Sequence, residues 1–199
     1  IYPGINPHLK KIKTDRPDKM KFPFLLYLGT IEPRKNVVGI IKAFNIIKTD
    51  GQYPDLKLIL AGRPGWLFKK IREEADGSPQ KNDIVFWGPV TAEEKILLYN
   101  LAEAFLYPSF FEGFGFPPLE AQACGCPTII ADRSSLPEIT KNGLKVNPWR
   151  TDQLAEAIEK ILSDRQYKNK LETAGRQNIK KFQWTECATN LLKIFSSYS

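Results

Sequence analysis

The stretch YPSFFEGFGFPPLEAQACGCP, Tyr107–Pro127, carries the strongest fold signal in this chain of 199 residues. An apolar segment runs into two glycines that are one residue apart, and then into two adjacent prolines. Glycine allows backbone conformations that a Cβ forbids, and proline is well tolerated in the first turn of a helix. The stretch therefore predicts a strand, a tight loop and a helix beginning at Pro117, with Glu112 and Glu120 on either side of the turn.

The same alternation of apolar strands and amphipathic helices extends over the whole chain. Strands are predicted at 22–30, 56–62, 83–87, 105–107, 128–131 and 144–146, with helical patterns between them. Thr91 and Glu94 form a capping box that opens one of these helices. Near-continuous apolar strands separated by helices are typical of a parallel sheet covered on both faces. We predict an α/β fold, a doubly wound Rossmann-like parallel sheet of about six strands with an all-helical C-terminal tail.

Composition excludes several classes of protein. The lone histidine, His8, excludes His-centred triads and multi-histidine metal sites from the domain core. The three cysteines form no even-numbered disulfide framework, which favours a reducing cytoplasm. No apolar run reaches the ~18 residues needed to span a bilayer. The net charge of +7 suits an anionic partner, and the start at Ile1 is expected to be an internal position of a longer protein.

Candidate ligand groups fall at predicted strand ends, where doubly wound sheets bind their ligands. The stretch GTIEPRKN presents Arg34 and Lys35 just before a helix. At the helix after the glycine loop, the N–H groups of Leu119 and Glu120 are expected to point outward and bind phosphate oxygens beside those cations. Carboxylates repel phosphate, so Glu112 and Glu120 are expected to accept hydrogen bonds from sugar hydroxyls. A nucleotide sugar would satisfy both requirements.

These residues resemble a known family. The stretch PSFFEGFGFPPLEAQACGCP, with GTIEPRKN, AGRPGW, SSLPE and FQW, is similar to the carboxyl-terminal half of retaining glycosyltransferases of the GT-B fold, in particular the group 1 enzymes that include many mannosyltransferases. The resemblance implies two Rossmann-like domains with the active site between them, and this chain is then the donor-binding half. Residues 1–20 become the interdomain connector, 21–183 the nucleotide-sugar-binding domain, and 184–199 a helix that packs towards the missing N-terminal domain.

The resemblance also implies roles for individual residues. Glu112 orients the transferred sugar, Glu120 holds the ribose hydroxyls, and Lys35 contacts the diphosphate. Several relatives carry an arginine where this chain has Thr30, and Arg34 is expected to replace it. Lys35 and Arg34 would then stabilise the charge on the departing phosphate, and Glu112 is not expected to act as a nucleophile. The remaining donor-binding positions implied are Gly29, Thr30, Val90, Gly113, Phe114, Gly115, Phe116 and Leu119.

The implied reaction is transfer of a hexose from a GDP- or UDP-linked donor to an acceptor hydroxyl, with retention at the anomeric carbon. No D-x-D sequence occurs, so neither a metal nor another cofactor is expected. A sugar or lipid-linked acceptor is expected to bind through the missing domain, during polysaccharide biosynthesis for the cell envelope. The expected location is the cytoplasm or the inner face of the membrane, and the fragment alone is expected to be inactive.

Two alternatives remain open from the sequence. The first is another nucleotide-sugar enzyme on the same architecture, such as an epimerase or a phosphorylase. The second is a nucleic-acid-binding module, which the basic charge suggests, although the glycosyltransferase interpretation expects no nucleic acid partner. A dinucleotide-dependent oxidoreductase is not favoured, because GFGFPP lacks the third glycine of G-x-G-x-x-G and follows the fourth predicted strand.

Overall fold

The apolar runs form one parallel sheet of six strands in a computed structural model that describes residues 1–197 apart from the side chain of Lys19. The spatial order is β3-β2-β1-β4-β5-β6, and every neighbouring pair is parallel. All residues of the two central strands are buried, which explains their lack of polar alternation. The strands are β1 (Phe24–Leu28), β2 (Lys57–Ala61), β3 (Ile84–Gly88), β4 (Ala104–Tyr107), β5 (Thr128–Ala131) and β6 (Leu144–Val146).

Helices connect the strands and cover the sheet. They are α1 (Val37–Thr49), α2 (Phe68–Asp76), α3 (Ala92–Leu101), α4 (Phe116–Ala123), α5 (Leu136–Ile139), α6 (Thr151–Ser163), α7 (Arg165–Ile179) and α8 (Trp184–Ser196). Helix α1 packs against α2 and α6, whereas α4 packs against α3 and α7. The two groups form the two helical layers of a doubly wound fold, so the predicted fold class is confirmed.

The strand order reverses between β1 and β4, because the chain first builds outward to β3 and then returns to the other side of β1. Loops after these two strands therefore meet at the carboxyl edge of the sheet, where ligands bind in folds of this kind. The backbones here approach closely: a Cβ built at Gly62, after β2, would lie 1.9 Å from the carbonyl oxygen of Gly29, after β1. Only glycine fits at such a contact.

The segment predicted as a connector, residues 1–20, lies against the domain. The N–H of Ile5 donates to the carbonyl of Phe182 (3.1 Å), and the ring of Tyr2 lies 5.4 Å from that of Phe182. Leu9 and Met20 are buried. The first part of the chain therefore packs beside the junction between α7 and α8.

Helix α8 has no buried residue, and its apolar side chains Trp184, Leu192 and Ile194 are 56%, 66% and 48% exposed. It begins at Trp184, and the last two positions of the predicted segment 184–199 lie outside the described residues. Within residues 1–197, no helix has both the length and the apolar character needed to cross a membrane.

Candidate active site

Two loops meet at the switch point and bring the predicted cations to the predicted carboxylate. After β1, residues Pro33–Lys35 form a short 3-10 turn that ends at Asn36, whose backbone is left-handed (φ 57°). The N–H of Phe110, in the loop after β4, donates to the carbonyl of Arg34 (2.9 Å). The side-chain amide of Asn36 donates to the carbonyl of Pro148 (2.7 Å). These bonds fix the loops after β1, β4 and β6 relative to one another.

Lys35 and Glu112 form a buried ion pair. The ammonium donates to Glu112 Oε1 (2.6 Å) and to the hydroxyl of Tyr107 (2.9 Å), and both charged residues are only 7% exposed. Burial raises the pKa of the Tyr107 hydroxyl, and the nearby charge of Glu112 raises it further, so the phenol stays protonated. A lysine ammonium has three donors. Two of them have acceptors within residues 1–197, and the third has none there.

Arg34 is the more accessible of the two cations. Its guanidinium donates to the carbonyl of Phe111 (2.8 Å) and to Glu32 Oε1 (2.7 Å), and it lies 3.4 Å from Glu112 Oε2. Desolvation lowers the pKa of Arg34, but the carboxylates of Glu112 and Glu32 outweigh it and raise the pKa overall. The side chain is 42% exposed. Arg34 is thus held in place on one side and open to solvent on the other.

The glycine loop that carries Glu112 is fastened to the segment after β5. The N–H of Glu112 donates to the hydroxyl of Ser134 (3.1 Å), and the hydroxyl of Ser135 lies 3.1 Å and 2.6 Å from the carbonyl oxygens of Glu112 and Phe114. Gly115 has φ 107°, and a Cβ there would lie 2.7 Å from Leu136 Cδ2. The loop therefore needs glycine at 115 and serine hydroxyls at 134 and 135.

Glu120, the second predicted carboxylate, is held by α3. Lys95 donates to Glu120 Oε1 (2.7 Å), and the hydroxyl of Tyr99 donates to Oε2 (3.1 Å). Tyr99 is fully buried, whereas the side chain of Glu120 is 16% exposed. Burial raises the pKa of Tyr99 well above its ordinary value, with Glu120 adding to the effect, so this hydroxyl is a permanent donor. Each carboxylate oxygen keeps a lone pair for a further donor.

The predicted start of α4 needs a correction. The helix begins at Phe116 with Gly115 as its N-cap, so Leu119 is the fourth helical residue and is fully buried. At that position the N–H bonds the carbonyl of the N-cap residue, and Glu120 lies one residue deeper still. The expectation of free N–H groups at Leu119 and Glu120 is therefore wrong in its register. With prolines at 117 and 118, the N–H groups left at this helix start are those of Gly115 and Phe116.

The other predicted donor-binding residues line the same edge with different accessibility. Thr30, Gly113 and Phe116 are exposed. Gly29, Val90 and Phe114 are half-buried, and Val90 packs against the main core. A Cβ at Gly113 would meet no atom within 4 Å, so the fold itself does not require glycine there.

Sequence reasoning missed the residues that hold the predicted cations and carboxylates in place. Glu32 and Tyr107 are in the immediate surroundings of the Lys35–Glu112 pair, and Lys95 and Tyr99 hold Glu120. One signal was available: Lys95 and Tyr99 are four residues apart on one helix, so they share a face. Their contact with a residue on another helix appears only in the folded chain.

Comparison with known proteins decides the family. The sequence profile described as glycosyl transferases group 1 matches residues 10–178. The chain belongs to this family. The resemblance noted in the sequence is thereby confirmed over the segment that contains every predicted site residue.

One curated protein and two solved structures illustrate what this chain is similar to. The chain is 34% identical over 175 residues to the O-antigen chain mannosyltransferase B of Escherichia coli, which covers 86% of this chain and 45% of that protein. Among solved structures, sucrose-phosphate synthase from Thermosynechococcus elongatus has a TM-score of 0.83 and 26% identity, over 98% of this chain and 51% of its own. A protein from Anabaena, crystallised with UDP and glucose, has a TM-score of 0.86 and 18% identity, over 98% of this chain and 55% of its own. The chain thus spans about half the length of these three proteins.

Proposed function

We propose that this chain is the donor-binding half of a retaining glycosyltransferase that transfers a hexose from a nucleoside diphosphate sugar. The observation that carries the proposal is the cluster at the switch point: Lys35 and Arg34 around Glu112, with Glu120 held by Lys95 on the neighbouring helix. One edge of the sheet thus presents cations, a glycine loop and carboxylates with free lone pairs. These are the groups that a diphosphate with a sugar at each end requires.

The relatives support this donor class. One is named for mannosyl transfer to an O-antigen chain, and a structural neighbour was crystallised with UDP and glucose. On that basis, the proposed donor of this chain is a sugar linked to GDP or UDP. Membership of the group 1 family favours glycosyl transfer over epimerisation or phosphorolysis.

In the proposed reaction, negative charge grows on the departing phosphate as the glycosidic bond breaks. The outer face of Arg34 and the third donor of Lys35 would stabilise that charge, and an interaction of this kind is typically worth about 3 kcal/mol. Glu112 would not attack the sugar: its two oxygens are engaged by Lys35 and Arg34, so its role is to orient the cations and accept a hydroxyl hydrogen bond. Glu120 would accept the two hydroxyls of the ribose.

Several features of the whole enzyme belong to the same proposal. The donor would bind without a metal or other cofactor, and the acceptor, a sugar or lipid-linked sugar, would reach the site from the other half of the protein. Residues 1–20 and the exposed apolar side chains of α8, such as Leu192, would contact that half. A location at the inner face of the cytoplasmic membrane would suit a lipid-linked acceptor.

A comparison of two glutamates in the full-length enzyme tests the assignment. Glu112→Ala and the isosteric Glu112→Gln should slow transfer by about a hundredfold or more, because misplaced groups at the reacting centre cost that much. Glu156→Ala is the control, since Glu156 is an exposed residue of α6. Equal rates for the two positions would refute the assignment of Glu112.

Donor binding can be measured with this chain alone. A panel of nucleotide sugars that includes GDP-mannose and UDP-glucose is screened for thermal stabilisation, where saturation at a hundred times the Kd adds ~2.7 kcal/mol of stability. Selectivity for one nucleotide supports the proposal. Binding to DNA or RNA with steep salt dependence, and none to nucleotide sugars, would favour the nucleic-acid alternative instead.

A further inference from the structure

A small apolar cluster beside the main core joins the start of the chain to the glycine loop. It is built from segments that are far apart in the sequence: the first residues, the glycine loop, α4, α5 and the end of α7. Its buried members are Leu119, Ile139 and Phe182, and the half-buried side chains packed against them are Ile5, Phe114 and Ile179. The loop that carries Glu112 therefore shares a packing unit with the segment predicted as the connector.

Tyr2 makes two kinds of contact at this cluster. Its ring lies 5.4 Å from that of Phe182 and 6.4 Å from that of Phe114, within the usual range of aromatic pairs. Its hydroxyl donates to Glu138 Oε1 (2.5 Å), on α5. Tyr2 thus contacts the glycine loop through its ring and α5 through its hydroxyl.

The short helix α5 supports the glycine loop directly. The hydroxyl of Ser135, at the start of α5, lies 3.1 Å and 2.6 Å from the carbonyl oxygens of Glu112 and Phe114. A Cβ at Gly115 would lie 2.7 Å from Leu136 Cδ2. Because α5 is a single turn, a bond that holds Glu138 also holds the surface against which the glycine loop packs.

The backbone next to Tyr2 is itself anchored. The N–H of Ile5 donates to the carbonyl of Phe182 (3.1 Å), and a Cβ at Gly4 would lie 2.4 Å from the backbone nitrogen of Trp184, the first residue of α8. Only glycine fits at such a contact. Tyr2 therefore extends towards Glu138 from a backbone that is fixed two residues away.

From these contacts, we infer that Tyr2 is a positioning residue for the proposed donor site. Its bond to Glu138 and its ring against Phe114 hold the glycine loop in the conformation that presents Glu112. Tyr2 acts through α5 and the loop and not by contact with the donor. The inference rests on the proposed function, and it makes the segment that leads to the other half a participant in donor binding.

Hydrogen exchange of this chain without ligand tests the contact. Exchange of the amides in residues 112–116 is followed by mass spectrometry. It should be at least about fivefold faster in Tyr2→Phe and in Glu138→Gln, because opening of the loop no longer breaks their bond. The double variant should exchange no faster than the faster single variant, since both changes remove the same bond. Tyr2 and Glu138 are exposed, so these variants should fold, which circular dichroism checks.

Donor affinity supplies the second measurement. Tyr2→Phe should weaken binding of a nucleotide sugar that the wild type binds by about fivefold, the low end of coupling between sites. Affinity for UMP or GMP should stay within about twofold, because these ligands lack both the second phosphate and the sugar. General damage to the fold would weaken both ligand classes equally.

Tyr53→Phe is the matched control. The hydroxyl of Tyr53 also donates to a glutamate, Glu159 Oε1 (2.8 Å), but it precedes β2 and so lies at the opposite edge of the sheet from the site. This variant should change neither the exchange of the glycine loop nor the affinity for nucleotide sugars.

Three results would overturn the role of Tyr2: loop exchange in Tyr2→Phe as slow as in the wild type, additive effects of Tyr2→Phe and Glu138→Gln, or equal weakening of nucleotide sugars and monophosphates. Failure of every nucleotide sugar to bind the wild type would instead refute the proposed donor function. Faster loop exchange in Tyr2→Phe would still sustain the contact between Tyr2 and the glycine loop in that case.

Discussion

Replacing Lys35 with methionine should destabilise the domain more than the same replacement of any exposed lysine. The substitution keeps the length of the side chain but removes the charge that faces Glu112. Glu112 would stay buried, with a side chain 8% exposed and Arg34 at 3.4 Å as its remaining cation. Removing one partner of a buried ion pair typically costs 3–5 kcal/mol. Because Arg34 compensates in part, we expect about 3 kcal/mol, at the low end of that range.

The measurement is urea unfolding followed by tryptophan fluorescence and circular dichroism, with thermal unfolding in parallel. For a domain of this size, a loss of 3 kcal/mol lowers the melting temperature by roughly 6–12 °C. Lys69→Met is the control, since Lys69 is 92% exposed and lies 4.0 Å from Glu73 at the start of α2. It should leave the melting temperature unchanged.

A double-mutant cycle identifies the cause. Glu112→Gln removes the buried charge, so the combination with Lys35→Met should recover part of the loss, with a coupling energy of at least about 1.5 kcal/mol. Additive effects of the two substitutions, or a Lys35→Met variant as stable as Lys69→Met, would show that the buried pair does not stabilise the fold. The same variants then report on donor affinity in the proposed site.

Three other outcomes are expected. Burial raises the pKa of Asp83, but the hydrogen bonds and charges of Lys57 and Lys48 outweigh burial and lower the pKa overall. The ionised carboxylate therefore stabilises the fold at any pH above its pKa in the unfolded chain. This stabilisation is lost as the pH falls through the pKa of Asp83 in the folded chain. Asp83→Asn should therefore be less stable than wild type at neutral pH, and the difference should shrink as the pH falls into the acid range, measured by urea unfolding; a difference independent of pH would contradict this. Burial raises the pKa of Cys124 to about 12, so iodoacetamide at pH 8 should label the half-buried Cys187 first and Cys124 only in denaturant, as read by mass spectrometry. If Lys95 positions Glu120 for a ribose, Lys95→Met should reduce the preference for UDP or GDP over its 2′-deoxy form by about tenfold while Lys95→Arg restores it; equal weakening of both nucleotides would indicate a structural role only.

The alternation of strands and helices was predictable because the strands are short and mostly apolar, as in FLLYL of β1, whereas helices such as α1 place their apolar residues at helical spacing. The capping box at Thr91 and Glu94 is confirmed, with both of its hydrogen bonds present. Capping is a local interaction over three residues, so its outcome depends little on the rest of the fold.

The start of α4 was not predicted correctly, for a local reason. Proline is favoured at the first helical position, which pointed to Pro117. The N–H groups of the second and third positions are also unbonded, so a helix beginning at Phe116 accommodates Pro117 and Pro118 equally well. The left-handed backbone of Gly115 fixed the earlier start.

The candidate site was predictable only in part. Its cations and carboxylates follow strands that end at one edge, so their proximity could be inferred from topology. The ion pair between Lys35 and Glu112 could not be inferred in this way. Electrostatic reasoning assigned Lys35 to the ligand, whereas in the folded chain it is buried against Glu112. The roles of Lys95 and Tyr99 could not be inferred either, because their contact with Glu120 depends on the packing of α3 against α4.

Ser134 has a further consequence for attempts to make this domain more robust. Its backbone is left-handed (φ 49°), a conformation that disfavours every residue with a Cβ by roughly 1 kcal/mol or more. Glycine at this position would relieve that strain, and a screen for heat resistance selects it wherever the relief exceeds the backbone entropy that glycine gains in the unfolded state. The same exchange would delete the hydroxyl to which the amide of Glu112 is tethered. Variants of this domain chosen for thermal stability alone would then lose a hydrogen bond that positions Glu112 in the proposed site, so stability and donor binding would have to be selected together.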